Sequence, residues 1–289
     1  VVFWKNNMRV QKAVITAAGP GQNGLPLQRL VDRDGLEKTA LEMIIEEIDS
    51  AGIESLAIVI RPGDREAYAA ASGRYVDRLT FVTQEQPRGY GDAILCARKF
   101  MGDEPVLHLV GDHLYLSRIG KRCAQQLIEA AEAEGCAVSA VQPTREHMLP
   151  YFGTVGGNRL SGSDHLYEVK RVIEKPTPTL AEQELTISGF RSGIYLCFFG
   201  MHILTRSTME ILAELAARNP TRSIPLAEAL NECASRERYL ACEIAGSRYN
   251  IGMKYGLLSA QLAFSLSGVD RDKILTEMVE LLAQQSHKS

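Results

Sequence analysis

Asp112, Glu174, Lys175 and Gln84 are side chains whose types and positions suit chemistry, and each stands at or just past the end of an apolar run. Asp112 follows Pro105 to Val110 (PVLHLV) and Gly111. A carboxylate there is a natural magnesium ligand facing a phosphate, or it caps a helix. Glu174-Lys175-Pro176 follows Val172-Ile173. Glutamate can accept two sugar hydroxyls and lysine neutralises a phosphate; the alternative is a surface ion pair. Gln84 precedes Gly89-Tyr90-Gly91-Asp92-Ala93. Its amide carries donors and acceptors and can read a base edge such as that of uracil. The two glycines let backbone lie flat against the base, or they only shape a strand-to-helix turn.

A glycine loop precedes all of these. The run Ala13 to Ala18 ends in Gly19, Gly21 and Gly24 within KAVITAAGPGQNGLPLQRLVDRDG. Small residues at a strand end let backbone approach a ligand, and free N–H groups suit an anion. The spacing also satisfies G-x-G-x-x-G, but the dinucleotide fingerprint needs a helix opening inside the motif and an acidic residue after a second strand. Here Pro26, the stretch Leu27 to Val31 and a charged turn (Asp32 to Gly35) intervene, and the acidic position falls near Glu42, within a helical pattern. We set the dinucleotide reading aside; a structural glycine turn remains the competitor of an anion cradle.

These residues need a scaffold, and the sequence supplies an alternating one. Strands are predicted at Ser55 to Ile60, Leu79 to Thr83, Pro105 to Val110 and Cys136 to Gln142. Helices are predicted at Leu36 to Gly52, Arg65 to Ser72, Asp92 to Phe100 and Ser117 to Glu134. This rhythm argues for an α/β fold, a doubly wound, mostly parallel sheet covered on both faces. From Pro143 the pattern changes. Tyr151 to Gly157, Tyr167 to Ile173 and Arg191 to Phe198 read as a small antiparallel insertion beside the main sheet. Helices at His202 to Arg218 and Pro225 to Ser235, a strand at Arg238 to Ile244, and helices at Gly252 to Leu266 and Asp272 to Gln284 follow. The last is amphipathic and offers a face to a second subunit or to its own domain.

The 289 residues are 45% hydrophobic and 23% charged, with net charge −3. That suffices for one large domain and lacks the basic balance of a nucleic-acid binder. No apolar run approaches the roughly 20 residues that span a membrane, and the opening VVFWKNNMRVQ has no signal-peptide pattern. The six cysteines (96, 123, 136, 197, 233 and 242) show no metal spacing and read as buried, reduced thiols of a cytoplasmic protein. His108, inside an apolar strand, reads as a satisfied core residue, and His113 is the histidine to watch beside Asp112.

In this order and spacing, KAVITAAGPG, TQEQPRGYGDAILCARKFMGDEP, Gly111-Asp112, VIEKP, SGIYL and YNIGMKYGLLSA resemble the sugar-phosphate nucleotidyltransferases, most closely the bacterial UTP–glucose-1-phosphate uridylyltransferases (UDP-glucose pyrophosphorylases). The resemblance covers Lys12 to Leu266. It implies one nucleotidyltransferase domain, with residues 12–142 as the nucleotide half, 143–250 as the sugar half and 251–289 as C-terminal helices. It implies a nucleoside triphosphate and a sugar 1-phosphate as substrates, with Mg2+. By position, Ala18, Gly19 and Gly21 would cradle phosphates, Gln84 and Gly89 would hold the base, and Asp112 would bind magnesium. Glu174 and Gly193 would touch the sugar, and Lys175 its phosphate.

The departures from that pattern fall on catalysis. Gln22-Asn23 stands where the family has Thr-Arg, and a lysine-bearing segment after it is absent. Lys38-Thr39 matches a later Lys-Pro. Asn250-Ile251-Gly252 replaces Asp-x-Gly, so Asn250 would ligate magnesium with one charge fewer. Each such loss costs about 10²–10³ in rate. Two readings follow: an active transferase that recruits Arg29 or Arg33 for the missing arginine, which we place first, or a descendant that binds nucleotide or nucleotide-sugar without turnover.

Overall fold

Lys12 and the apolar run after it form β1 (Lys12–Thr16). Thr16 and its three apolar predecessors are buried, as an unbroken run at the centre of a sheet requires. The computed structural model describes residues 8–19, 24–218 and 222–286, so Gly21, Gln22 and Asn23, and most of the opening stretch, lie outside the described residues. A hairpin of β2 (Arg29–Val31) and β3 (Glu37–Thr39) comes next. Its turn is the charged one: Asp32 Oδ1 accepts the N–H groups of Asp34 and Leu36 at 2.8 and 2.9 Å. Helix α1 (Ala40–Asp49) therefore starts later than the periodicity from Leu36 predicts. A capping box between Thr39 and Glu42 fixes that start, and Leu36 is exposed in the hairpin turn.

The alternation continues through β4 (Ser55–Ile60), α2 (Arg65–Ala71), β5 (Leu79–Thr83), α3 (Tyr90–Cys96), α4 (Arg98–Met101) and β6 (Val106–Val110). The helix expected over Asp92 to Phe100 is two, α3 and α4, meeting at Ala97. Next come β7 (His113–Ser117), α5 (Cys123–Glu134), β8 (Ala137–Arg145), β9 (Gly153–Arg159), β10 (Leu166–Glu174), α6 (Pro178–Glu184) and β11 (Ile194–Leu204). The chain ends with α7 (Arg206–Arg218), α8 (Leu226–Arg236), β12 (Tyr239–Glu243), β13 (Gly246–Asn250), α9 (Gly256–Leu266) and α10 (Arg271–Ser286).

Two helix predictions shorten at their starts, one giving way to a strand end followed by the bend at residues 118–122 and one to a strand. Ser117 ends β7, which pairs antiparallel with β13, and His202 lies in β11, opposite His108 of β6. The sheet is also more mixed than predicted. Among the described residues, nine strands run in the order β5-β4-β1-β6-β11-β8-β12-β10-β9. The first four are parallel to one another, but β11 runs antiparallel between β6 and β8. The antiparallel strands thus extend the main sheet instead of forming an insertion beside it.

Alternate side chains of each strand feed two cores, one per sheet face. Ala13 and Ile15 meet Leu41, Ile44 and Ile48 of α1 and Leu127 of α5. Val14 belongs to the other core, with Ile94 of α3, Leu212 of α7 and Leu230 of α8. On α10, Val279, Leu281 and Leu282 are exposed. Among the described residues no helix is long and apolar enough to cross a membrane, and the six cysteines are free thiols.

Candidate active site

The carboxyl ends of β1, β5 and β6 open onto a cavity of about 830 Å3, the place where open α/β sheets bind ligands. Ala18 and Gly19 reach it from the end of β1, Gln84 from β5, Asp112 from β6, Glu174 and Lys175 from β10, and Asn250 from β13. Gly89 also lines it. Residues far apart in sequence are thus brought to one cleft.

Asp112 and Asn250 meet through the β7–β13 ribbon, whose register sets Asn250 opposite His113. The Ile251 N–H donates to the Asp112 carbonyl at 2.9 Å, closing the ribbon. Gly252 lies between the two side chains: a Cβ there would stand 3.2 Å from Asn250 Oδ1 and 3.8 Å from Asp112 Oδ2. His113 Nδ1 is 2.7 Å from Asp112 Oδ1, so this histidine orients the carboxylate. Among the described residues no cluster of three or more His, Cys, Asp or Glu is arranged for a metal. The corner instead offers a carboxylate and an amide oxygen, an oxygen set suited to a hard cation that takes its remaining ligands from phosphates and water.

Across the cavity, Lys175 has φ +47°, a left-handed conformation that costs a non-glycine residue on the order of 1–3 kcal/mol. Its N–H donates to the Phe152 carbonyl at 3.3 Å, and Pro176 follows. The surrounding protein partly desolvates the neighbouring Glu174 carboxyl, which keeps solvent access at the cleft mouth, and this raises it above the ordinary carboxylate range against the pull of Lys175.

Gln84 is buried, and its amide nitrogen donates to Asp92 Oδ2 at 2.7 Å and to the Gly89 carbonyl at 3.3 Å. The two glycines divide the roles left open by the sequence. Gly89, at φ +103°, lines the cavity. Gly91 is structural: its N–H donates to the Ile224 carbonyl at 2.9 Å, and a Cβ there would stand 2.7 Å from that oxygen.

The glycine loop is held from behind. Tyr68 donates to the Ala17 carbonyl at 3.3 Å, and Arg61 donates to the Ala18 and Gly19 carbonyls at 3.2 and 2.8 Å. In a planar trans peptide the N–H points opposite to the C=O, so the Ala18 and Gly19 N–H groups turn away from Tyr68 and Arg61.

The expected substitute cations do not arrive. Arg29 is exposed on β2 and paired with Glu37, because the hairpin carries it away from the β1 end. Arg33 donates to the Ser267 carbonyl at 3.3 Å, and Lys38 lies between Asp32 and Glu46 at 2.6 and 2.8 Å. Gly193 is also outside the cavity lining, its carbonyl accepting the Glu146 N–H at 3.0 Å. Lys254 was missed and does line the cavity; its signal was a cation two residues after Asn250-Ile251-Gly252. Tyr90 and Thr16 were missed too. They reach the cavity and flank His108, with Thr16 Oγ1 at 3.1 Å and the Tyr90 hydroxyl at 3.4 Å. Burial drives His108 well below the ordinary histidine value, so it is a neutral core residue, as read.

Comparison with known proteins gives this geometry its kinship. Residues 12–263 match the family model described as nucleotidyl transferase. The chain belongs to the nucleotidyl transferase family. This nucleotidyl transferase is 27% identical over 305 residues to the UTP–glucose-1-phosphate uridylyltransferase YngB of Bacillus subtilis (strain 168), covering 96% of this chain and 97% of that protein. It is 28% identical over 308 residues to the UTP–glucose-1-phosphate uridylyltransferase of Streptococcus pneumoniae serotype 4, covering 97% and 99%. A crystal structure of UDP-glucose pyrophosphorylase complexed with UDP-glucose is similar at TM-score 0.71 and 25% identity, covering 88% of this chain and 98% of that one. The UDP-glucose pyrophosphorylase from Acinetobacter baumannii shares the fold at TM-score 0.74 and 20% identity, covering 94% and 99%.

Proposed function

We propose that this nucleotidyl transferase joins UTP and glucose 1-phosphate, giving UDP-glucose and pyrophosphate. The observation that carries the reading is the convergence of Gln84, Asp112 and Lys175 on one cavity. An amide suited to a base, a carboxylate suited to a metal and a cation suited to a sugar phosphate thus share one cleft, as a nucleotide-sugar requires. The fold we assign is the doubly wound one of nucleotide-sugar transferases. Residues 12–142 supply the base and phosphate side, residues 143–250 supply Glu174 and Lys175 on the sugar side, and residues 251–289 are the C-terminal helices.

An oxygen of the sugar phosphate attacks the α-phosphorus in line. The new P–O bond forms as the bond to the β-phosphate bridging oxygen breaks, and pyrophosphate departs with that electron pair. The attacking phosphate is already ionised near neutral pH, so no side chain need take a proton. The chain's contribution is positioning and charge. Lys175 neutralises the sugar phosphate, Glu174 takes sugar hydroxyls, and the Ala18 and Gly19 N–H groups face the triphosphate. Lys254 supplies the cation for leaving pyrophosphate that Arg29 does not. Asp112 and Asn250 would hold Mg2+, which when bound neutralises phosphate charge. Six unpaired thiols suit the reducing conditions of a cytoplasm.

Pyrophosphate release from UTP plus glucose 1-phosphate with magnesium tests the reading. Turnover that needs both substrates supports it. No release overturns it, and thermal stabilisation by UTP or UDP-glucose without release would favour a protein that binds nucleotide-sugar without turnover.

A further inference from the structure

We infer that Asp92, which touches the base-reading side chain and not the base, decides which base the cavity accepts. The inference rests on the reading that Gln84 faces the base. Asp92 is buried in the first turn of α3, and its two carboxylate oxygens have different partners. Oδ2 takes the Gln84 amide nitrogen at 2.7 Å, and Oδ1 takes Arg88 Nη2 at 2.7 Å. A carboxylate accepts and does not donate. The Gln84 amide therefore cannot turn over without setting its oxygen against Asp92. Its second N–H goes to the Gly89 carbonyl. With both N–H groups committed, the acceptor is what remains for the ligand. An acceptor facing N3 of a pyrimidine takes the N3–H of uracil or thymine and repels the N3 lone pair of cytosine.

The same wiring says what an amide at position 92 does. In Asp92→Asn, Arg88 keeps the side-chain oxygen, because its donor repels an NH2. The substituted side chain's NH2 then faces Gln84 and turns that amide over, giving up its longer 3.3 Å bond to the Gly89 carbonyl and presenting a donor to the base. A carboxylate in the first turn of a helix also favours the helix dipole. A purely structural Asp92 therefore lowers stability on substitution and leaves base choice alone.

The test is kcat/KM with glucose 1-phosphate for UTP, CTP and N3-methyl-UTP, in the wild type, Asp92→Asn and Asp92→Asn/Arg88→Met. The wild type is expected to prefer UTP over CTP by about 10²-fold or more, and to discriminate equally against N3-methyl-UTP, because an unpaired polar group is a strong basis for rejection. Asp92→Asn shifts the ratio toward CTP by about tenfold or more, and removing Arg88 as well returns part of that shift. A folded Asp92→Asn with the wild-type UTP-to-CTP ratio overturns the inference. If that variant does not fold, the wild type decides: N3-methyl-UTP used as well as UTP means that no acceptor faces N3, and the inference falls. A wild type that turns over no nucleotide overturns the functional reading itself, whereas an unchanged base ratio in an active enzyme overturns only the role of Asp92.

Discussion

Asn250 stands opposite His113 across the β7–β13 ribbon, and that register sets its amide oxygen beside the Asp112 carboxylate around the bare Cα of Gly252. Two oxygens thus converge with one formal charge between them. Asn250 Oδ1 is held in place by the Gly252 N–H at 2.9 Å, so the amide oxygen has a fixed position in a corner that lacks a second anion.

Restoring that anion tightens metal binding. Asn250→Asp is expected to lower the magnesium concentration for half-maximal rate about tenfold, since ligand charge count tunes cation affinity. Metal titration of pyrophosphate release checks this. An unmoved midpoint with an unmoved rate means that position 250 does not face the metal.

Lys175→Met removes the cation assigned to the sugar phosphate. kcat/KM for glucose 1-phosphate falls about 10²–10³-fold, while KM for UTP changes little. Steady-state kinetics with each substrate varied separately decides it; an equal loss on both substrates contradicts the assignment.

Arg61→Gln loosens the carbonyl side of the glycine loop. KM for UTP rises about tenfold as the Ala18 and Gly19 peptides lose their fixed orientation, one lost charged hydrogen bond being worth roughly 1.5–3 kcal/mol. KM for glucose 1-phosphate is unchanged. A fall in melting temperature with no change in KM for UTP would reduce Arg61 to a structural tie.

Glu47 gives a pH signature away from the site. It is 2% exposed, and Oε1 accepts the Ala124 N–H at 2.9 Å at the start of α5. Burial holds its carboxyl above the ordinary value of 4.5, with Ala124 and Arg122 pulling the other way. The folded state thus keeps this proton more tightly than the unfolded chain. The associated stability is present below the unfolded value and lost as pH rises through the folded one. Glu47→Gln keeps the acceptor for Ala124 and never ionises. Its melting temperature should exceed the wild type's by about 2 °C or more at pH 8 and match it near pH 4. A gap of the same size at both pH values would rule this cause out.

Residues at strand ends were legible where a short apolar or β-branched run stops at a turn residue. β4 (SLAIVI), largely buried, and β5 (LTFVT), a partly exposed edge strand rich in β-branched residues, both match their predicted bounds. Gln84 and Asp112 follow such runs in the parallel part of the sheet, and Lys175 follows the antiparallel β10. The ribbon was not legible. HLYLS and GSRYN include partly exposed residues and carry too short an alternation to separate from flanking helices. Arg29 failed because chain spacing says nothing about which way a hairpin points, and its turn carries that side chain toward Glu37. Lys254 lies in a loop with no periodicity to mark it.

The ribbon also orders events during synthesis. Asp112 emerges from the ribosome early, but Asn250 joins it only after β13 has been made and laid along β7. A nascent or prematurely terminated polypeptide that ends before Gly246 retains Gln84 and loses the residue opposite His113. It also lacks α9, whose Ala260 and Phe264 share the core with Ile15 and Leu41, so completion of the cleft's far corner and closure of that core fall to the same last stretch of synthesis.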